Sequence, residues 1–238
     1  SGGDCQKRHS ASTARSKPKA LKLIHEYEQI RQQKNYRVPS VGGRLPLKGA
    51  EITVVSSAGE ILEAPLRDAG KINSSCDRPQ LIPSEQFENP RSTGILLRFG
   101  SFGFLDIGDL VGQPLSDLVC PNNRIGPVDV YLVPHHGEAD SADPATLAAF
   151  QPRVAILNNG ATKGGDATIF DVLRSAQGLE DVWQLHLSEN QGSENFPAEY
   201  IANLNTKTAH WLKLSAKADG SFLILNGRTG ERRNYDPR

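Results

Sequence analysis

The sequence predicts an α/β layer fold on a mixed sheet. Three observations carry that expectation. From Ile95 onward, short strand-like apolar runs alternate with segments of helical spacing. The strand expected at 153–157 is continuously apolar after Arg153, as in a strand buried on both faces. Late in the chain, residues 211–214 and 222–225 flank Ala218-Asp219-Gly220 as a hairpin would, which adds antiparallel strands to the sheet.

In chain order, residues 1–18 are polar and basic, with Lys7, Arg8, Arg15 and Lys17, and read as a flexible basic arm. Leu21, Ile24, Tyr27 and Ile30 recur at helical spacing and predict a helix over 19–33. His25 is expected as a partly exposed residue of that helix, and His9 as a solvated residue of the arm. Residues 38–49, with two prolines and three glycines, lead into a strand at 51–55. Ala58-Gly59-Glu60 is a turn signal before Ile61-Leu62. Residues 64–92 contain four prolines and little periodicity. A loop of that length in a compact domain is usually functional or disordered, and it is expected beside a site as a lid.

Strands are expected at 95–99 and 102–105, turned at Gly100-Ser101, and at 128–133. Asp143 is placed as an N-cap with Pro144 at the first position of a helix over 144–150. A strand at 153–157, a helix over 168–175 ending near Gly178, and a strand at 182–187 complete the α/β rhythm.

Composition narrows the function. The 27 acidic and 27 basic residues cancel, so no global charge draws the chain to nucleic acid or to an anionic membrane. Aromatic content of 6% does not suggest a base-stacking platform. No segment approaches the roughly 20 apolar residues that span a bilayer. With 238 residues and 37% apolar content, a buried core is within reach. Cys5, Cys76 and Cys120 have no metal-type spacing; an odd count leaves at least one thiol unpaired, and Cys76 with Cys120 is one pairing open to them.

The chemistry concentrates where two apolar runs end. Phe104-Leu105-Asp106-Ile107-Gly108-Asp109-Leu110 and Val133-Pro134-His135-His136-Gly137 each stop abruptly in metal-competent side chains beside a glycine. Rigid strand ends hold such groups at little entropic cost, and neighbouring ends would set Asp109 and His135 on one rim of a sheet. Asp140, Ser141 and Asp106 are placed to orient an imidazole. His186 and His210 are expected as hydrogen-bonded core histidines. The segment 158–165, with three glycines and Lys163, reads either as a glycine-rich turn or as a cradle for an anionic oxygen.

These segments, with Asn89-Pro90-Arg91-Ser92 before them, resemble the second half of the metallo-β-lactamase-fold hydrolases. The closest branch resembles the hydrolase domain of the DNA-uptake competence membrane proteins and their soluble relatives. The resemblance runs from about Leu45 to Gly230. It implies an αββα sandwich and two zinc ions bridged by Asp109, with His135 completing the second metal's shell. It further implies His136 facing the substrate or leaving group, and His136 or Lys163 stabilising negative charge. A metal-activated water would attack a phosphodiester or a carboxylic ester, lactone or amide. The family's His-x-His-x-Asp-His run is missing, and Lys163-Gly164-Gly165 stands where the competence branch tends to carry a His-Pro. Residues 19–238 are therefore expected to be the C-terminal part of such a domain, incomplete on its N-terminal side and inactive alone. Two further readings stand beside this one: a non-catalytic α/β binding or scaffold domain with a remnant site, and an unrelated α/β enzyme using His135 or His136 as general base.

Overall fold

In the computed structural model, two sheets stack face to face, and helices cover the outer face of the larger one. Residues 10–77 and 88–238 are described, 10–20 by backbone alone. Residues 1–9, which include Cys5 and His9, and residues 78–87 of the expected loop lie outside the described residues. Contacts divide the chain into Ser1–Val38 and Pro39–Arg238.

The first unit carries α1, Ser10–Gln33, which begins within the stretch expected as an arm. Local pairs at helical spacing, Lys22 with Glu26 and Arg31 with Glu28, line its surface.

In the second unit, the large sheet orders its strands β1 (Arg44–Leu47), β2 (Ala50–Ser57), β4 (Gly94–Phe99), β5 (Phe102–Asp106), β6 (Val130–Val133), β7 (Val154–Leu157), β8 (Asp181–His186) and β9 (Ile201–Asn203), with β3 (Glu60–Ile61) paired to β2. Pairing is antiparallel from β1 through β5 and parallel from β5 through β9. The sheet is thus mixed by its first half. The expected late hairpin is real but builds a second sheet instead: β10 (Leu212–Ala216), β11 (Phe222–Asn226) and β12 (Arg232–Tyr235) pair antiparallel on their own. The reason is burial, because Phe222, Ile224 and Tyr235 find cover against Phe102, Val130, Val154 and Trp183 of the large sheet.

Strand alternation divides the two cores. Val130 and Val154 face the small sheet, while the next residues, Tyr131 and Ala155, face the helices. Three helices supply that other core: α2 (Gln113–Val119), α3 (Pro144–Phe150) and α4 (Ala167–Ser175), through Leu118, Phe150 and Phe170 among others. The Asp143 carboxylate caps α3, accepting from Thr146 N at 2.6 Å, with Pro144 behind it.

The described parts of the 64–92 loop are tied down. The Asn73 amide donates to the carbonyls of Val119 (3.2 Å) and Ala145 (2.9 Å), and a disulfide joins Cys76 to Cys120. That bridge closes a loop of 44 residues, for which chain entropy alone gives about 4 kcal/mol. We expect the Cys76→Ala/Cys120→Ala double variant to lose about 2–4 kcal/mol in urea unfolding, and the wild type to lose the same on reduction.

Two buried tyrosines contrast. Tyr235 accepts from Trp183 Nε1 at 3.0 Å and donates to Asp181 at 2.8 Å, whereas the buried Tyr131 hydroxyl has no partner among the described residues. Burial pushes both phenols above their ordinary pKa. Tyr235→Phe should cost about 1–3 kcal/mol by stranding the buried indole N–H and removing one donor from Asp181, and Tyr131→Phe should be neutral or stabilising. Thermal melts of the two variants check this contrast.

Candidate active site

All the strand-end candidates gather at the carboxyl ends of the parallel strands, where open α/β sheets place their ligands. After β5, the Asp106 carboxylate accepts from Gly108 N at 2.9 Å and closes a tight turn. Ile107 and Leu110 on either side are fully buried, so Asp109 is held outward between two anchors. Its N–H donates to Ser92 Oγ at 3.2 Å.

After β6, the backbone takes an unusual course. His135, His136 and Gly137 have φ of 49°, 59° and 78°, three left-handed residues in succession. Only the glycine adopts that region freely; each histidine is strained by roughly 1–3 kcal/mol. Neighbouring loops compensate: His135 N donates to Gly108 O, Gly165 N to His136 O and Asp166 N to Gly137 O, at 3.1, 3.0 and 2.9 Å. The Asp166 carboxylate also accepts from Ala139 N at 3.0 Å.

This turn sends the two imidazoles in different directions. His135 lies between the Asp140 carboxylate, 3.0 Å from Nδ1, and the Asn89 amide, 3.0 Å from Nε2. His136 donates from Nδ1 to the Asn158 carbonyl at 2.9 Å and turns Nε2 toward Asp109 Oδ1, 3.7 Å away. A carbonyl can only accept, so Nδ1 carries the hydrogen and Nε2 of the neutral ring is a lone pair. Two acceptors therefore face one another across a gap that a water or a cation could bridge.

The structure thus brings Asp109 together with His136, while His135 is engaged by Asp140 and Asn89. Lys163 Nζ lies 3.6 Å from Glu138 on the surface, and the loop's glycine amides donate within the fold, Gly160 to Lys163 O, Gly164 to Glu138 and Gly165 to His136 O. His186 Nδ1 is buried without a partner among the described residues, in place of the expected hydrogen bond. Ser141 Oγ is likewise buried and unpartnered. His210 lines a cavity between the sheets. The contributions of Glu138 and of the Asn158 carbonyl carried no sequence signal. Asn89 lay in a segment quoted for the resemblance, without a role attached to it.

Ligand atoms sharing one tetrahedral zinc sit roughly 3.3 Å apart, so the Asp109–His136 spacing fits one edge of such a shell. A zinc site needs three or four ligands. No group of three or more His, Cys, Asp or Glu side chains able to hold a metal occurs among the described residues. The described residues therefore do not complete a zinc site, one or two ions alike.

No family model and no curated protein matches the chain. Among solved structures, it is similar to one named "Putative metal-dependent hydrolase from Parabacteroides distasonis ATCC 8503", at 17% identity and a TM-score of 0.39, over 67% of this chain and 61% of that one. It is also similar to a mutant of the CmlA beta-hydroxylase, at 18% identity and a TM-score of 0.34, over 63% of this chain and 32% of that one. The chain thus spans less than two thirds of either structure.

A Cβ on Gly164 would overlap the His136 carbonyl, at a backbone φ of +67°. Gly164→Ala should therefore cost more than about 1 kcal/mol and displace the His136 ring. Urea unfolding and the imidazole NMR signals of His136 read the two effects separately.

Proposed function

We propose that this chain is a metallo-β-lactamase-like hydrolytic domain contributing part of a metal-dependent site, acting on a carboxylic ester, lactone, amide or phosphodiester. The observation that carries this reading is the open pair of Asp109 Oδ1 and His136 Nε2 at the ends of adjacent parallel strands. The competence-type branch is a finer reading that rests on the Gly108-Asp109 and His135-His136-Gly137 segments, with Lys163-Gly164-Gly165 departing from it. No helix among the described residues is long and apolar enough to cross a membrane.

The chain's own residues divide the work. Asn158 O fixes the tautomer and angle of His136, so that its Nε2 lone pair points into the gap beside Asp109, where the two would hold a metal ion. His135 is a positioning residue, since its ring ties the strand-end turn to Asn89 and Asp140. Lys163, which pairs with Glu138 at the surface in this structure, is kept as the cation that would stabilise developing negative charge. The absence of a third ligand among the described residues favours one alternative, a non-catalytic scaffold with a remnant site.

Calorimetric titration of the metal-free chain with zinc separates the two. We expect one site, weakened by at least about tenfold in Asp109→Ala and in His136→Ala and retained in His135→Ala. No zinc binding by the wild type would select the scaffold reading.

A further inference from the structure

The two sheets do not fill the space between them at the carboxyl ends of β5–β8. A cavity of about 330 Å³ opens there, with Leu132 and Ile156 on the large sheet facing Leu214 on the small one. Its nitrogen-bearing side chains are Asn158, His210 and Trp211, and no Lys, Arg, Asp or Glu lines it. Close packing is the rule in protein interiors, so an apolar gap of this size between two sheets leaves apolar wall exposed to water until something neutral occupies it. The volume falls within the small-molecule range of about 300–1,000 Å³ and is too small for a helix.

Asn158 connects this cavity to the strand-end site. It lines the cavity, and its carbonyl accepts the His136 Nδ1–H at 2.9 Å. A group seated in the cavity is thus one residue from the imidazole that faces Asp109.

We propose that the cavity binds the apolar side of the substrate: a neutral aliphatic or aromatic group of on the order of ten non-hydrogen atoms, at about 30 Å³ for each water-sized group. Its role as a substrate subsite rests on the hydrolase reading. Its affinity for a neutral apolar group rests on its walls alone.

Two tryptophans make the test direct. Trp211 lines the cavity and is 51% exposed, whereas Trp183 is 1% exposed in the core between the sheets. Titration with n-alcohols from hexanol to dodecanol should shift the emission of Trp211. Affinity should rise about fourfold per methylene and level off once the chain fills the cavity. Ile156→Phe and Leu214→Phe, one on each wall, should each weaken octanol binding by about tenfold or more, while Asp109→Ala leaves it unchanged. Octanol should also move the imidazole NMR signals of His136. No response of Trp211, unaltered binding in both filling variants, or unmoved His136 signals would each overturn the proposal. Zinc titration reads Asp109 and His136 separately, so octanol binding without zinc binding would sink the hydrolase reading and leave the cavity's affinity standing.

Discussion

The site depends on one backbone constraint, the run of three left-handed residues at 135–137 that ends β6. Two histidines in that region raise the local energy, and the turn's own bonds, Gly137 N to Pro134 O and Glu138 N to His135 O, offset only part of it. Further compensation comes from the loop after β7, whose amides at Gly165 and Asp166 close onto the carbonyls of His136 and Gly137. That contact needs a backbone without a side chain at Gly164, where a Cβ would overlap the His136 carbonyl. Asn190 holds the same loop from the next strand end, donating to Gly164 O at 2.8 Å. The two strand-end loops therefore form one unit, and the position of His136 belongs to both.

The stacked sheets make that unit stiff. The strands β6, β7 and β8 are each covered on both faces, with Tyr131, Ala155 and Val182 toward the helices and Val130, Val154 and Trp183 toward the small sheet. A strand clamped this way has little freedom at its carboxyl end, where the site residues leave it. On the small-sheet side, Tyr235 and Arg233 both reach the Asp181 carboxylate, which fastens β12 against the first residue of β8. The small sheet thus stabilises the fold from behind and leaves its gap near the strand ends.

The sequence made the interior strands and capped helices legible because each carried its own local signal. Asp143-Pro144 announced α3, and the glycine turn at 100–101 announced the β4–β5 hairpin. Three strands were not visible, each for a physical reason. The strand β1 is a solvent-facing edge containing Pro46, β9 is three residues long, and β12 reads Arg-Arg-Asn-Tyr with one buried side chain. The association of the late hairpin was also hidden, because alternation tells a strand which face to bury and not against which sheet. At the site, residue type and strand-end position singled out Asp109, His135 and His136. The direction of each imidazole lay beyond reach, since it depends on a backbone inversion set by Gly164 and Gly165, thirty residues downstream.

That inversion decides which histidine faces Asp109. Adjacent residues in extended backbone would point to opposite faces, and in a helix they would fan apart by about 100°. In the left-handed turn, one ring folds back toward Asp140 and Asn89 and the other faces Asp109. The ring nitrogens then sort themselves by partner. His135 gives Nδ1–H to a carboxylate and receives an amide N–H at Nε2, so both of its nitrogens are engaged. His136 gives Nδ1–H to a carbonyl and, among the described residues, keeps Nε2 without a donor, opposite a carboxylate in the same condition. The strained turn and the facing acceptors therefore have one support: the loop after β7 holds the turn through Gly165 and Asp166 and aims the His136 ring through the Asn158 carbonyl, so neither feature can change without the other.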